Sequence, residues 1–165
     1  VVPDIVVLGK PMGNGHPIGA IITTDAIAES FDNGMEFFSS FGGNPVSCEI
    51  GSAVLDVIKE ENLQQNSLEV GNYFMNQLKT LQKQFACIGD VRGSGLFIGI
   101  ELIKDEHLSP DTVLAALVKN ELRNRNILVS TDGPYVSVIK SKPPLCFTKE
   151  NVDQVLSELQ DIISK

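Results

Sequence analysis

Cysteine is scarce and scattered. Cys48, Cys87 and Cys146 form no CxxC pair, and only two histidines accompany them. That is too few soft ligands for a zinc site, so no metal centre is expected, and an odd set is no disulfide framework. The three thiols are expected as small buried hydrophobes in a reducing compartment. The cytoplasm is the expected location, with a mitochondrial one left open. Basic charge is scarce too. Thirteen Lys and Arg stand against 21 Asp and Glu, for a net charge of −8. That balance argues against nucleic-acid backbones and anionic membranes as partners. No apolar run approaches membrane-spanning length, and there are no repeats or low-complexity tracts.

What is present is enough apolar material to bury a real core, 42% of 165 residues. The stretch from Asp4 to Ala20 organises the rest. Ile5–Leu8 is short, β-branched and bounded by turn residues, so it reads as a buried strand. Gly9 breaks it and Lys10 stands at its exit. Gly13, Gly15 and Gly19 then permit backbone conformations that other residues resist. A lysine at the mouth of a buried strand is where desolvation lowers an amine's pKa, and a neutral amine can form a Schiff base with a carbonyl. On spacing alone, a surface lysine at a strand end is the commoner meaning. The glycines follow the lysine instead of preceding it, which does not fit a nucleotide phosphate loop.

Ala20–Thr24 is a second β-branched run, placed to pair with the first. Asp25 is expected to cap a short helix to about Ser30, and residues 31–43 read as irregular, with Phe37, Phe38 and Phe41 close together. Asn44-Pro45 opens a helix to about Glu60. A second helix from about Leu63 carries Val70, Phe74, Leu78, Leu81 and Phe85 on one stripe. Leu96–Ile103 alternates as a strand with Ile98, Ile100 and Leu102 on one face. Arg92, just before it, is either an anion ligand or a structural arginine bonded to Asp90 or loop carbonyls. Ser109-Pro110 is expected to cap a third helix with a Leu114, Leu117, Val118, Leu122 stripe. Ile127–Ser130 and Tyr135–Lys140 read as strands around an Asp132-Gly133-Pro134 turn. Thr148 caps a last helix whose Val152, Val155, Leu156, Leu159, Ile162 and Ile163 face inward. From residue 63 onward the expectation is helices packed on a small antiparallel sheet.

Four blocks occur in order: GKPMGNGHPIGAI (9–21), SSFGGNPVSC (39–48), RGSGLFIGIEL (92–102) and KPPLCFT (142–148). Together they resemble the class III (ornithine/GABA-type) aminotransferase family of pyridoxal phosphate enzymes. The resemblance covers nearly the whole chain and makes it look like the C-terminal part of a longer enzyme. It implies an α/β fold, that of the fold type I transferases. Residues 1–44 would be a remnant of the large cofactor domain, 45–62 a connecting helix and 63–165 a small α+β domain with an antiparallel sheet. By the same resemblance Lys10 maps onto the Schiff-base lysine, catalytic and cofactor-binding at once. Ser40 stands where the family usually has a threonine that bonds the cofactor phosphate, in a segment that reaches a neighbouring subunit, so a homodimer is implied. Lys140 stands where members acting on α-amino acids commonly carry a carboxylate-gripping arginine. Lysine lacks that planar fork. This departure looks like the phospho-lyase subgroup, which eliminates phosphate and ammonia from a small phosphorylated amine such as ethanolamine phosphate or 5-phosphohydroxylysine. It makes Lys140 a candidate contact for an anionic part of the substrate. The family's phosphate cup, ring-stacking aromatic and acidic partner of the pyridine nitrogen match nothing in this chain, so the chain alone is expected to be inactive. Conventional amino transfer to a 2-oxo acid is the alternative chemistry, and a non-catalytic interaction module the alternative of another class.

Overall fold

Apolar side chains that recur at helical spacing after residue 62 find one another in the folded chain. The computed structural model describes residues 1–165, which separate into two units, Val1–Glu61 and Asn62–Lys165.

In the second unit, helix α3 (Leu63–Gln84) turns Val70, Phe74, Leu78 and Leu81 inward, as the stripe requires. Strands β3 (Ile88–Ser94) and β4 (Phe97–Leu102) form an antiparallel hairpin whose corner is Gly95, at φ +53°. The sequence reading had no strand at β3. Two glycines, Gly89 and Gly93, and a shift of register between Ile88 and Asp90 conceal its alternation. Strands β5 (Ser130–Asp132) and β6 (Val138–Ser141) complete an all-antiparallel sheet of order β3-β4-β6-β5. On β4, Ile98, Ile100 and Leu102 are buried, while Phe97, Gly99 and Glu101 point to the other face. Helices α3 and α4 (Thr112–Asn124) pack on the sheet, and α5 (Lys149–Ile163) packs on both helices. Phe74, Leu78, Ile98, Leu102, Leu122, Ile139 and Leu159 fill the core.

Several boundaries differ from expectation, each for a local reason. Helix α4 is capped by Asp111, whose Oδ1 accepts from Leu114 N at 2.9 Å. Ser109 belongs instead to a loop closed by the Asp105 carboxylate, which accepts from Ser109 N at 3.2 Å. The inner face of α4 is Ala115, Val118 and Leu122, and Leu117 is half exposed. β5 begins at Ser130, where a strand was expected to end, and β6 only at Val138. Val136 stands at φ +55° with its N–H donated to Gly133, so Tyr135–Ser137 prolong the turn. Thr148 caps α5 as expected, in a reciprocal capping box with Asn151.

In the first unit, β1 (Ile5–Leu8) and β2 (Ala20–Thr23) pair antiparallel with Ile5 opposite Thr23 and Leu8 opposite Ala20. The pairing was expected, but the burial of β1 is not found: Ile5 is 52% and Val7 71% exposed. Within this unit a two-stranded ladder has no second layer to close its faces. Helix α1 (Asp25–Phe31) is capped by Thr24, not Asp25, because Thr24 is the last extended residue and its carbonyl accepts from Ile27 and Ala28. Helix α2 (Pro45–Glu60) starts as expected, with Asn44 Oδ1 accepting from Ser47 N at 2.9 Å. The cysteines depart from expectation. Cys48 and Cys146 are exposed and only Cys87 is half-buried, its thiol pushed up by burial. Cys48 sits on the solvent side of the first turn of α2, where no second layer covers it.

Candidate active site

The Lys10 loop is built by two constraints on its backbone. Gly9 leaves the strand fully extended, and Lys10 then takes φ +49°, the left-handed region that side chains resist. Pro11 follows, which disfavours the right-handed alternative for Lys10. A single 3-10 turn, Lys10–Gly13, results, closed by Asn14 N donating to Pro11 O at 2.9 Å. Lys10 is exposed, and none of the ion pairs in the molecule engages it.

The loop folds back through Ile18. A Cβ on Gly13 would meet Ile18 Cγ2 at 2.6 Å, and one on Gly51 of α2 would meet Ile18 Cδ1 at 3.3 Å. Glycine at both positions lets Ile18 wedge the loop against the helix. His16 adds a polar tie, with Nε2 2.8 Å from Ser47 Oγ. Sequence reasoning passed over His16, Ile18 and Gly51. The signal for them is the pairing of a bulky residue with two glycines far apart in sequence, which only the fold brings together.

Ser40 lies in the irregular run before α2. Its neighbourhood is pinned by Ser39 Oγ accepting from Gly42 N at 3.0 Å and by Asn44 Nδ2 donating to Phe41 O at 2.7 Å. Between the two loops and α2 lies a hollow of ≈ 780 Å³, lined among others by Met12, His16, Phe41 and Ser47. Neither Lys10 nor Ser40 lines it. Both belong to the first unit, whereas Lys140 belongs to the second.

Lys140 sits on β6, an interior strand, between β4 and β5. With Arg92, Phe97, Asp132 and Val138 it lines a shallow hollow of ≈ 420 Å³ on the face of the sheet that carries Phe97 and Gly99. Its ammonium is paired with Asp132. That bond, helped by the Gly133 N–H, holds the Asp132 carboxyl below the usual carboxylate range. Arg92 is structural. Its Nη1 lies 2.7 Å from Asp90 and 2.6 Å from Glu101 across the hairpin, and these bonds raise its guanidinium further above its ordinary value. No group of His, Cys, Asp and Glu is arranged to hold a metal ion, and no helix is long and apolar enough to cross a membrane.

Comparison with known proteins agrees with the four blocks. A sequence model described as aminotransferase class-III matches residues 1–163. Over 99% of its length the chain is 49% identical to a Drosophila melanogaster protein named alanine–glyoxylate aminotransferase 2-like, of which it covers 34%. Among solved structures, it superimposes with a TM-score of 0.96 on an Arthrobacter phospholyase in complex with phosphoethanolamine. There the identity is 38%, over 100% of this chain and 39% of that one. With a TM-score of 0.87 it also matches an amine transaminase from an uncultivated Pseudomonas species in its PLP-bound form, at 30% identity over 99% of this chain and 39% of that one. The chain thus spans about a third of the length of the curated relatives it matches. Ordered motifs, matched sequence and superimposed α/β fold converge: the chain belongs to the class-III aminotransferase family.

Proposed function

We propose that the chain supplies the lysine-bearing loop and the small domain of a pyridoxal-phosphate-dependent enzyme acting on a primary amine. The observation that carries this reading is Lys10 itself. It stands at a strand exit, on a backbone forced into the left-handed region, with an amine no carboxylate neutralises. Strain of that kind, of order 1–3 kcal/mol, persists where the surrounding structure enforces it, and it clusters at functional sites.

The donor set fits the cofactor at two points. Lys10 offers a primary amine for its aldehyde carbon, and Ser40 a hydroxyl for a phosphate oxygen of the cofactor in the neighbouring subunit. When bound, pyridoxal phosphate supplies an electron sink for the substrate carbon attached to nitrogen. Lys10 would then be placed as the base that takes the proton from that carbon and the acid that returns one. Lys140 is assigned to an anionic part of the substrate on its place before Pro143-Pro144, and it must share its ammonium with Asp132 to do so.

Elimination of phosphate and ammonia from a phosphorylated amine is the chemistry we favour. It is supported by the absence of a carboxylate-gripping arginine at position 140 and by the likeness to a phospholyase holding phosphoethanolamine. Transfer of the amino group to a 2-oxo acid is the second reading, favoured by the relative named as an aminotransferase. The division near Asn62 supports a small domain beginning there, with α2 as connector and 1–44 as part of the large domain. A homodimer in the cytoplasm completes the proposal. The test uses the full-length protein with pyridoxal phosphate and borohydride. A reduced adduct on Lys10, absent in Lys10→Ala, is the expected result; no adduct would leave a non-catalytic module. Ethanolamine phosphate should then release inorganic phosphate without a 2-oxo acid, whereas turnover that requires a 2-oxo acid and releases no phosphate selects amino transfer.

A further inference from the structure

Lys140 and Asp132 meet diagonally across neighbouring strands. Lys140 of β6 stands opposite Ser130 of β5, and Asp132 lies two residues further along β5, on the same face. The Lys140 ammonium bonds Asp132 Oδ2, while Asp132 Oδ1 accepts from Gly133 N at 2.8 Å. The two partners are held unequally. The carboxylate is anchored to the turn, whose Gly133 takes φ +84°. The ammonium rides on a flexible four-carbon stem with three donors, so the lysine is the partner that moves. Solvent reaches the pair: the side chains of Lys140 and Asp132 are 23% and 58% exposed, and an incoming anion can compete for the ammonium. The other cation lining this hollow is already engaged, because Asp90 and Glu101 take the Arg92 guanidinium.

We infer that Asp132 is a built-in counter-ion: it takes Lys140 back from the anionic end of the ligand and so keeps a freed phosphate from being retained. The inference rests on the reading of Lys140 as the contact for that anionic part. An anion that binds Lys140 must share the ammonium with Asp132. When the anion leaves, the anchored carboxylate is still in place and re-forms the pair. Asp132 is thus a positioning residue, acting on the ligand through Lys140. The opposite role predicts the opposite sign. A carboxylate that merely aimed Lys140 at the ligand would strengthen anion binding, and its loss would weaken it.

The test uses the full-length protein with pyridoxal phosphate bound, so that the cofactor fills its own phosphate site, and inorganic phosphate as the probe. The dissociation constant of phosphate is read from its phosphorus line broadening by NMR. Asp132→Asn keeps an oxygen for the Gly133 N–H and removes the charge, so the turn should stay while Lys140 is freed. The constant should fall by about two- to fivefold, the range in which an exposed ion pair competes. Lys140→Met should raise it by at least about twofold. In the Lys140→Met background, Asp132→Asn should leave it within about 1.5-fold, because no ammonium remains to be released. An unchanged or raised constant in Asp132→Asn, while Lys140→Met weakens phosphate, would overturn the inference. A gain that persists in full in the Lys140→Met background would overturn it too, since the carboxylate would then act without the lysine. Phosphate binding unaltered by Lys140→Met would reject the reading of Lys140, and the inference with it.

Discussion

Lys140 shows how a single residue's meaning depends on its neighbour. Its ammonium and the Gly133 N–H both bond Asp132, and both favour the ionised carboxylate. A carboxyl held below its ordinary value stabilises the fold at neutral pH. That contribution is present above the unfolded value of about 4 and fades as pH falls through the lower folded value. Lys140→Met should therefore move Asp132 upward toward the ordinary carboxylate range, followed as the carboxyl carbon shift in a pH titration by NMR. No movement would mean that the pair does not form in solution. Asn44 is the second residue with two duties. It caps α2 and also donates to Phe41 O. Asn44→Ala should cost about 1 kcal/mol of helix stability. It should also speed hydrogen exchange at the first turn of α2, where a cap that contributed nothing would leave exchange unchanged. The sequence showed the cap but not its hold on Phe41, because a carbonyl has no residue-type signature.

At the scale of elements, the closest approach in the second unit is helix on hairpin. A Cβ at Gly71 of α3 would stand 2.2 Å from Gly95 O at the β3–β4 corner. Backbone cannot swing away as a side-chain tip can. Alanine has the better helix propensity by about 1 kcal/mol, so on propensity alone Gly71→Ala would stabilise α3. The contact reverses the sign. We expect Gly71→Ala to destabilise by about 1–3 kcal/mol or more, as overpacking does, read as a lower denaturation midpoint by circular dichroism. A raised midpoint would mean that α3 does not press on the corner. Helix stripes were legible because burial at every third or fourth residue is written locally. Strand limits were less so: β3 hides behind glycines, and Val136 delays the start of β6 by a backbone angle that no periodicity predicts.

Across the whole molecule, apolar surface is distributed unequally. Every residue of the main core cluster lies between Val70 and Ile162. The first unit leaves Met35, Phe37, Phe38 and Phe41 at 75–84% exposure, and only Phe31 and Phe37 pack edge to face, at 5.9 Å between centroids. An apolar surface of that kind marks an interaction site, which accords with the proposed homodimer. The second unit has its own core, so residues 62–165 expressed alone should unfold in one cooperative transition in urea. Residues 1–61 alone should show a broad, non-cooperative change. A cooperative transition in 1–61, or none in 62–165, would refute this division of stability. The Arg125 pairs with Glu158 and Asp161 add to the second unit at neutral pH. Asp161 is held below its ordinary value by Lys165 and Arg125, so its part is lost on acidification.

The sequence by itself determined what is local: the helix stripes, the Asn44 and Thr148 caps, and the four short blocks whose order points to the family. Each is set by side-chain chemistry over a few residues. Tertiary structure alone decided which charges neutralise one another and which stay free. It paired Arg92 with Asp90 and Glu101, tied up Lys140 with Asp132, left Lys10 unpaired, and set His16 against Ser47. Such partners lie up to tens of residues apart, and their meeting depends on the path of the backbone between them. Opposite charges attract at any sequence separation, so composition could not say which pairs form.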